Sequence, residues 1–219
     1  MERALGVTAS PLRSLRGICG ICGIALVTAG MLTFSSALVA QETVVTLDPA
    51  SARIEFALGA TLHTVHGNFK LKHGEIRFDP LTGKASGSVV VDATSGDTDN
   101  NSRDKKMHAE VLESTKFPEI VFTPNAVTGQ LQEIIKGSAE ALADVAGVFR
   151  LHGQDHEGTL AVVVDRSANG ELHVTAKFAA PYVKWGLKDP SSTFLHVKDI
   201  VDVEVHATAH IDRPSVPPH

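Results

Sequence analysis

Histidine is the residue type that most directly suggests chemistry, since the chain of 219 residues contains 11. Three pairs have spacings that a metal site can use: His63 with His66, His152 with His156, and His206 with His210. In a strand, residues four apart lie about 13 Å apart, too far to share a metal ion. The best pair is therefore the one in the segment His-Gly-Gln-Asp-His, where a loop can bring two imidazoles together. A histidine metal site remains an alternative interpretation, although no cysteine ligand or His-Glu-x-x-His motif supports it.

Enzymatic catalysis and nucleic-acid binding have weaker support in the sequence. The chain contains neither Gly-x-Ser-x-Gly nor a Ser-x-x-Lys with its partner motifs. Asp104 and His108 are four residues apart, which surface ion pairing on a helix explains. We therefore predict no catalytic residues, no metal ligands and no enzymatic activity. The net charge of -5 and the aromatic content of 5% also argue against a nucleic-acid partner.

The N-terminal segment differs from the rest of the chain. It begins with three arginines, continues as a long uncharged apolar run and ends in small residues, which is the layout of a secretory signal. Cys19 and Cys22 form a Cys-x-x-Cys pair inside it, so we assign them no redox or metal role. We predict a signal peptide over 1–40, cleaved after Ala40 or alternatively after Ala37, and a periplasmic or secreted protein. If uncleaved, the run is long enough to serve as a membrane anchor.

The remaining chain alternates apolar and polar residues with a period of two, which is typical of strands with one dry face. The clearest run is Val201–Ile211, whose odd-numbered positions are all apolar. Turn signals at Lys72-His73-Gly74, Asp79–Gly83 and Ala168-Asn169-Gly170 divide the runs. About eight to ten strands follow. Long strict alternation favours a closed antiparallel barrel, because closure leaves no unpaired edge; a two-sheet sandwich is the alternative.

One segment, Asn101–Ser114, breaks the alternation and predicts a helix inserted between strands. Met107, Val111 and Leu112 form its apolar stripe, and Asn101 or Ser102 can cap it. The segment 130–143 is compatible with a second short helix or with an irregular loop. The proline-rich tail, 213–219, is predicted to be disordered.

The stretch Asp97–Thr123 resembles the YceI-like, polyisoprenoid-binding family. The shared motifs are Asp97-Thr98, Arg103-Asp104, Phe117-Pro118 and Phe122-Thr123, with LDPASARIEF, VHGNF and WGLKDPS at similar spacings elsewhere. The resemblance extends over 43–212, which we take as the domain. It implies an all-β, extended, lipocalin-like antiparallel barrel of eight strands with one helix inserted between strands. It also implies an apolar tunnel that holds a long isoprenoid chain, such as an isoprenoid quinone.

Slender apolar residues in the strands leave room for such a chain, and phenylalanines can grip its methyl groups and double bonds. We predict these lipid-binding residues: Phe56, Leu58, Phe69, Val89, Val91, Leu112, Phe122, Phe149, Phe178, Val203 and Val205. Arg103 is predicted either to face a polar head group at the tunnel mouth or to tie the helix to the barrel. Trp185 is expected to pack at a barrel end.

The predicted partner is an amphiphilic isoprenoid lipid, with transient membrane contact and no required cofactor. Because such a lipid leaves a bilayer that is as apolar as the tunnel, its transfer is nearly neutral, which suits carriage, storage or protection. A homodimer is left open. The other alternative to lipid binding is a stress-response or interaction module without a small ligand.

Overall fold

The computed structural model describes residues 42–193 and 195–212. The predicted signal peptide, 1–40, and the predicted disordered tail, 213–219, lie outside the described residues. Nine strands dominate this part of the chain: β1 (Thr43–Leu47), β2 (Arg53–Gly59), β3 (Thr64–Phe78), β4 (Ala85–Asp97), β5 (Glu119–Gly129), β6 (Glu140–Leu151), β7 (Gln154–Arg166), β8 (Leu172–Ala180) and β9 (Val201–Asp212).

The strands form a closed antiparallel barrel. From β3 to β9 each strand pairs with its sequence neighbour. Closure comes from β1 and β2, each of which pairs with both β3 and β9: β1 with the ends of those strands, β2 with their beginnings. These two short strands therefore take the place of a single barrel strand, and a turn over 48–52 separates them. The predicted eight-stranded barrel is confirmed, and the sandwich alternative is wrong.

The loops gather at two ends of the barrel. The α1 end is named after the helix α1 (Asn101–Lys106), and the α2 end after the helix α2 (Leu131–Lys136). Because neighbouring strands are antiparallel, successive loops alternate between the ends. The α1 end collects the loops over 60–63, 98–118, 152–153 and 181–200, and the α2 end those over 79–84, 130–139 and 167–171.

The helix predicted over Asn101–Ser114 forms in two parts. The regular part is α1, and a π-helical turn over Met107–Val111 continues it. Its cap is Asn100, one residue before the predicted position, whose side chain accepts a hydrogen bond of 3.0 Å from the Arg103 backbone N–H. At the other boundary, Glu113 has a φ of 45°, so the helical path ends before β5.

The segment 130–143 resolves into a short helix followed by a strand. Helix α2 ends at Gly137, whose φ of 88° is the left-handed conformation that glycine adopts without steric cost. Strand β6 begins three residues later. The short-helix alternative is thus correct, although the second half of the segment belongs to the barrel wall. None of the helices in the described ranges is both long and apolar enough to span a bilayer.

One predicted turn is wrong. Lys72-His73-Gly74 does not reverse the chain, because β3 continues through it to Phe78. The pairing with β4 shifts register between Leu71 and His73, which marks a local β-bulge. A Cβ at Gly74 would lie 2.9 Å from the Leu47 side chain, so this glycine allows β1 to approach closely.

Candidate functional site

The barrel encloses a cavity of about 720 Å³. This volume falls within the range of ligand pockets, roughly 300–1,000 Å³. Its wall comes from β1–β9 and both helices. Among the described residues that line it, none is an aspartate or a glutamate. The barrel is therefore hollow rather than filled by its own side chains.

Strand alternation explains why the wall is apolar. In β9, Val201, Val203 and Val205 face the cavity, while Asp202 and Glu204 between them are on the opposite face of the strand. The same alternation holds in β8, where the inward residues are Leu172, Val174, Ala176 and Phe178. Apart from Phe178, the inward side chains on these two strands are slender and keep this part of the cavity wide.

A row of aromatic rings from β5, β6 and β8 lines the half of the cavity nearer the α1 end. The centroids of Phe122 and Phe149 are 4.5 Å apart, and those of Phe149 and Phe178 are also 4.5 Å apart. The row continues to Trp185 at the α1 end, 5.7 Å from Phe149. Contact between ring faces and edges at these distances is favourable in itself, and the exposed faces form a continuous apolar surface.

Glycines on neighbouring strands give these rings their space. A Cβ at Gly158 would lie 2.9 Å from the Phe149 ring, and one at Gly147 would lie 2.7 Å from the Phe122 ring. The same relation recurs on the other side of the barrel, where a Cβ at Gly67 would collide with Phe56. The rings therefore lie against the wall, and the middle of the cavity stays open.

The α2 end of the cavity is closed and apolar. Ile134 from α2 lines the cavity and is buried, together with Phe78 and Val127 from the adjoining strands. The carbonyl of Ile134 accepts a hydrogen bond of 3.3 Å from an Arg166 terminal nitrogen. On the other side of the helix, Gln132 Nε2 donates to the Pro80 carbonyl at 3.1 Å. These contacts hold α2 across the barrel.

The α1 end is open and polar. Exposed residues line the cavity here: His63, Asn100, Ser102 and Lys106. The half-buried Arg103 and the buried Thr98 lie among them. Since exposed residues reach the cavity only here, this end connects it to solvent. An elongated ligand with one polar group would place that group here.

A compact hydrogen-bond network anchors α1. Asp104 Oδ1 accepts from both the backbone N–H and the hydroxyl of Thr98, at 3.0 and 2.6 Å. Arg103 donates to the same residue, from Nε to the hydroxyl oxygen at 2.7 Å and from a terminal nitrogen to the carbonyl at 2.7 Å. The Arg103–Asp104 pair therefore ties the helix to Thr98, the residue that follows β4, and Arg103 also lines the cavity. The helix-tying role predicted for Arg103 is present, and its predicted role toward a head group stays a prediction.

Further contacts hold the π-helical turn over the opening. Both ring nitrogens of His108 are engaged: Nδ1 lies 2.9 Å from the Ser114 hydroxyl and Nε2 lies 2.8 Å from the Gly96 carbonyl. The predicted Asp104–His108 ion pair is thus wrong, because each side chain has another partner. On the outside, Lys188 Nζ lies 2.6 Å from Glu110. That hydrogen bond and the lysine charge hold the pKa of the Glu110 carboxyl below its ordinary value.

The loop after β8 completes this end. Its buried residues Tyr182, Trp185 and Leu187 pack with Ala180. The Tyr182 hydroxyl donates to the Lys198 carbonyl at 2.9 Å. Burial, reinforced by the charges of Asp189 and Asp199, raises the pKa of the Tyr182 phenol to about 12, so it is a neutral donor at physiological pH.

The histidine pairs do not converge. Across residues 42–193 and 195–212, no group of three or more potential metal-ligating side chains is close enough to hold an ion. His152 lies against Glu113 at 2.5 Å, whereas His156 stacks on Trp185 with ring centroids 4.7 Å apart. His206 contacts Thr175 and Glu204 on the outer face. The described residues give the metal alternative no support.

Every residue predicted to bind lipid lines the cavity, as does Arg103. Sequence reasoning missed lining residues in the middle strands: Val145, Leu160, Val162 and Val164. Alternation gives no signal in β7, where the run from Leu160 to Val164 is apolar on both faces.

Trp185 packs at the barrel end as predicted and also lines the cavity. Met107 and Val111 were identified as a helical stripe, and here that stripe faces the cavity.

Comparison with known proteins identifies the fold. The sequence profile of the YceI-like domain matches residues 45–209. No curated protein matches the chain. A polyisoprenoid binding domain from Saccharophagus degradans superposes with a TM-score of 0.60 at 18% identity, covering 78% of this chain and 98% of that one. BcnA of Burkholderia cenocepacia gives 0.60 at 16% identity over 75% and 99%. The Campylobacter jejuni YCEI protein gives 0.53 at 17% identity over 70% and 88%.

Proposed function

The chain belongs to the YceI-like family, and from that premise we propose that it binds one long polyisoprenoid lipid inside the barrel. The observation that carries the proposal is the cavity of about 720 Å³, apolar along its length and polar only at the α1 end. The similar domain from Saccharophagus degradans is described as polyisoprenoid binding. An amphiphilic lipid with an isoprenoid tail, such as an isoprenoid quinone, matches this distribution of polar and apolar groups.

The energetics favour exchange over permanent capture. Removing one CH₂ group from water is worth about 0.8 kcal/mol, so an isoprenoid chain has a strong tendency to leave water. It has almost none to choose between a bilayer and an equally apolar cavity. We therefore propose carriage, storage or protection of the lipid, with transient membrane contact for loading, rather than catalysis.

We also propose that the protein works outside the cytoplasm. The support is the sequence of its first forty residues, which has the basic, apolar and small-residue regions of a secretory signal. A periplasmic or secreted carrier would meet isoprenoid lipids at a membrane surface. Cell fractionation and N-terminal sequencing of the mature protein test this proposal.

Lipid binding is tested by purifying the protein from its own host without detergent and measuring its mass under native conditions. We expect an added mass that solvent extraction releases as an isoprenoid lipid. The matched variants are Val205→Trp, which fills the middle of the cavity, and Asp202→Trp, which places the same ring on the outer face of β9. The inward variant should lose the lipid and the outward variant should keep it.

Two results would contradict the proposal. One is an unaltered protein recovered with an empty barrel, which favours an interaction module without a ligand. The other is equal lipid retention in both tryptophan variants, which places the lipid outside the cavity. Circular dichroism of each variant distinguishes loss of ligand from loss of fold, because overpacking a core costs roughly 1–3 kcal/mol.

A further inference from the structure

We infer that helix α2 is the floor of the cavity and that Ile134 sets the longest isoprenoid chain that the protein accepts. The inference rests on the proposed function and makes it more specific, since it assigns chain-length selection to one element. It follows from three features: the position of α2, its attachment to the barrel, and the contrast between the two cavity ends.

The first feature is the position of α2. Strand β5 ends at Gly129 and β6 begins at Glu140, so the connection between them crosses the α2 end of the barrel. Within that connection, α2 directs Ile134 into the cavity, where it is 7% exposed. The side chain packs with Phe78 and Val127 rather than with solvent. A ligand tail that enters from the α1 end meets this residue last.

Hydrogen bonds before, within and after α2 fix the helix in place. Arg166 holds the Ile134 carbonyl, and Gln132 holds the Pro80 carbonyl in the β3–β4 turn. Before the helix, the Gln130 side-chain oxygen accepts from the Leu142 backbone N–H at 2.9 Å. After it, the Arg166 backbone N–H donates to the Ala139 carbonyl at 2.7 Å. The helix is therefore fixed to β6, β7 and the β3–β4 turn.

The cavity ends differ in what they can accept. Polar and exposed residues line the α1 end, whereas Ile134, Phe78, Val127 and Ala143 at the α2 end are buried and apolar. A polar head group is stable only at the α1 end, because burying it without a partner is costly. With the head fixed at one end, chain length is limited by the distance to the other.

Chain-length selection is measured with the purified protein and a series of all-trans prenyl alcohols that differ by one isoprene unit, from farnesol to decaprenol. The protein is incubated with an equimolar mixture, washed, and analysed by native mass spectrometry. For the unaltered protein we expect retention up to a definite length and none beyond it.

The variants Ile134→Ala and Ile134→Phe move the floor in opposite directions. Each changes the side chain by three carbon atoms, more than half of one isoprene unit. We expect the first to lengthen the longest retained alcohol by one unit and the second to shorten it by one. Ile120→Ala is the matched control, because Ile120 lines the cavity from β5 near the α1 end. It removes the same atoms and should leave the limit unchanged.

Other outcomes overturn the inference in distinguishable ways. If neither Ile134 variant moves the limit, or if Ile120→Ala moves it as far as Ile134→Ala does, the floor does not select chain length. Retention of every alcohol without a limit also contradicts the inference while leaving lipid binding intact. Retention of no alcohol by the unaltered protein contradicts the proposed function as well. If Ile134→Ala fails to fold, Ile134→Phe alone still tests the direction of the shift.

Discussion

The two ends of the barrel are built by different physical means. At the α1 end, a helix is held by hydrogen bonds from Thr98 to Asp104 and from Arg103 to Thr98, and it borders the exposed opening of the cavity. At the α2 end, a shorter connection closes the cavity with the buried side chain of Ile134. The exposed polar side chains around the opening are already hydrated, whereas the packed apolar contacts at the α2 end cannot be replaced by water without cost. On the proposed function, the ligand would enter at the α1 end.

The largest expected change in the free energy of unfolding comes from a comparison of two phenylalanines on the same strand. Phe78, at the α2 end of β3, is 4% exposed, and Phe69, nearer the α1 end, is half-buried. We expect Phe78→Ala to lower the free energy of unfolding by about 4 kcal/mol and Phe69→Ala by about 2 kcal/mol, because a buried ring loses more contacts. Urea denaturation measures both. Equal losses would mean that the two ends are packed alike.

A smaller effect is expected from the network at the α1 end. Asp104→Ala leaves the N–H and hydroxyl of the buried Thr98 without their acceptor, which should cost about 2 kcal/mol. Hydrogen exchange should accelerate in α1 and stay unchanged in α2. Asp144→Ala, which removes an exposed carboxylate on β6, is the control. Faster exchange at both ends would show that the ends are coupled.

A third effect appears only at alkaline pH. Burial raises the pKa of Tyr182 from its ordinary value of 10.0 to about 12. Its contribution to stability is complete below about pH 10, and it is lost between pH 10 and 12, where only the unfolded phenol ionises. The free energy of unfolding should therefore fall less steeply over this interval in Tyr182→Phe than in the unaltered protein. Denaturation at several pH values measures the slope, and identical slopes would contradict the assignment.

Local patterns predicted the strands and their inward faces wherever one face of a strand is buried and the other is exposed to solvent. Val201–Ile211 shows this, because a period of two decides which residues face inward without knowledge of the neighbours. The aromatic residues of β5, β6 and β8 were also assigned to the cavity from sequence. Strand β7 was not, because Leu160 to Val164 is apolar on both faces and only the pairing with β6 and β8 selects the inward set.

Two predictions made from local patterns are wrong because other contacts take precedence. Lys72-His73-Gly74 has the composition of a turn, yet Gly74 serves close contact with Leu47, a residue far away in sequence. Asp104 and His108 have the spacing of an ion pair, yet Thr98 and Ser114 provide better-placed partners. In the first case a contact between distant segments outweighed the local preference, and in the second the residues just before and just after the helix supplied other partners.

The strand pattern, the inserted helix and the apolar character of the barrel interior could be predicted, since they depend on residues close together along the chain. Three features could be seen only in the folded barrel: β1 and β2 share one position, α2 closes one end, and Arg103 both anchors a helix and borders the cavity. These features depend on which distant segments meet, and that is set by packing the whole barrel at once.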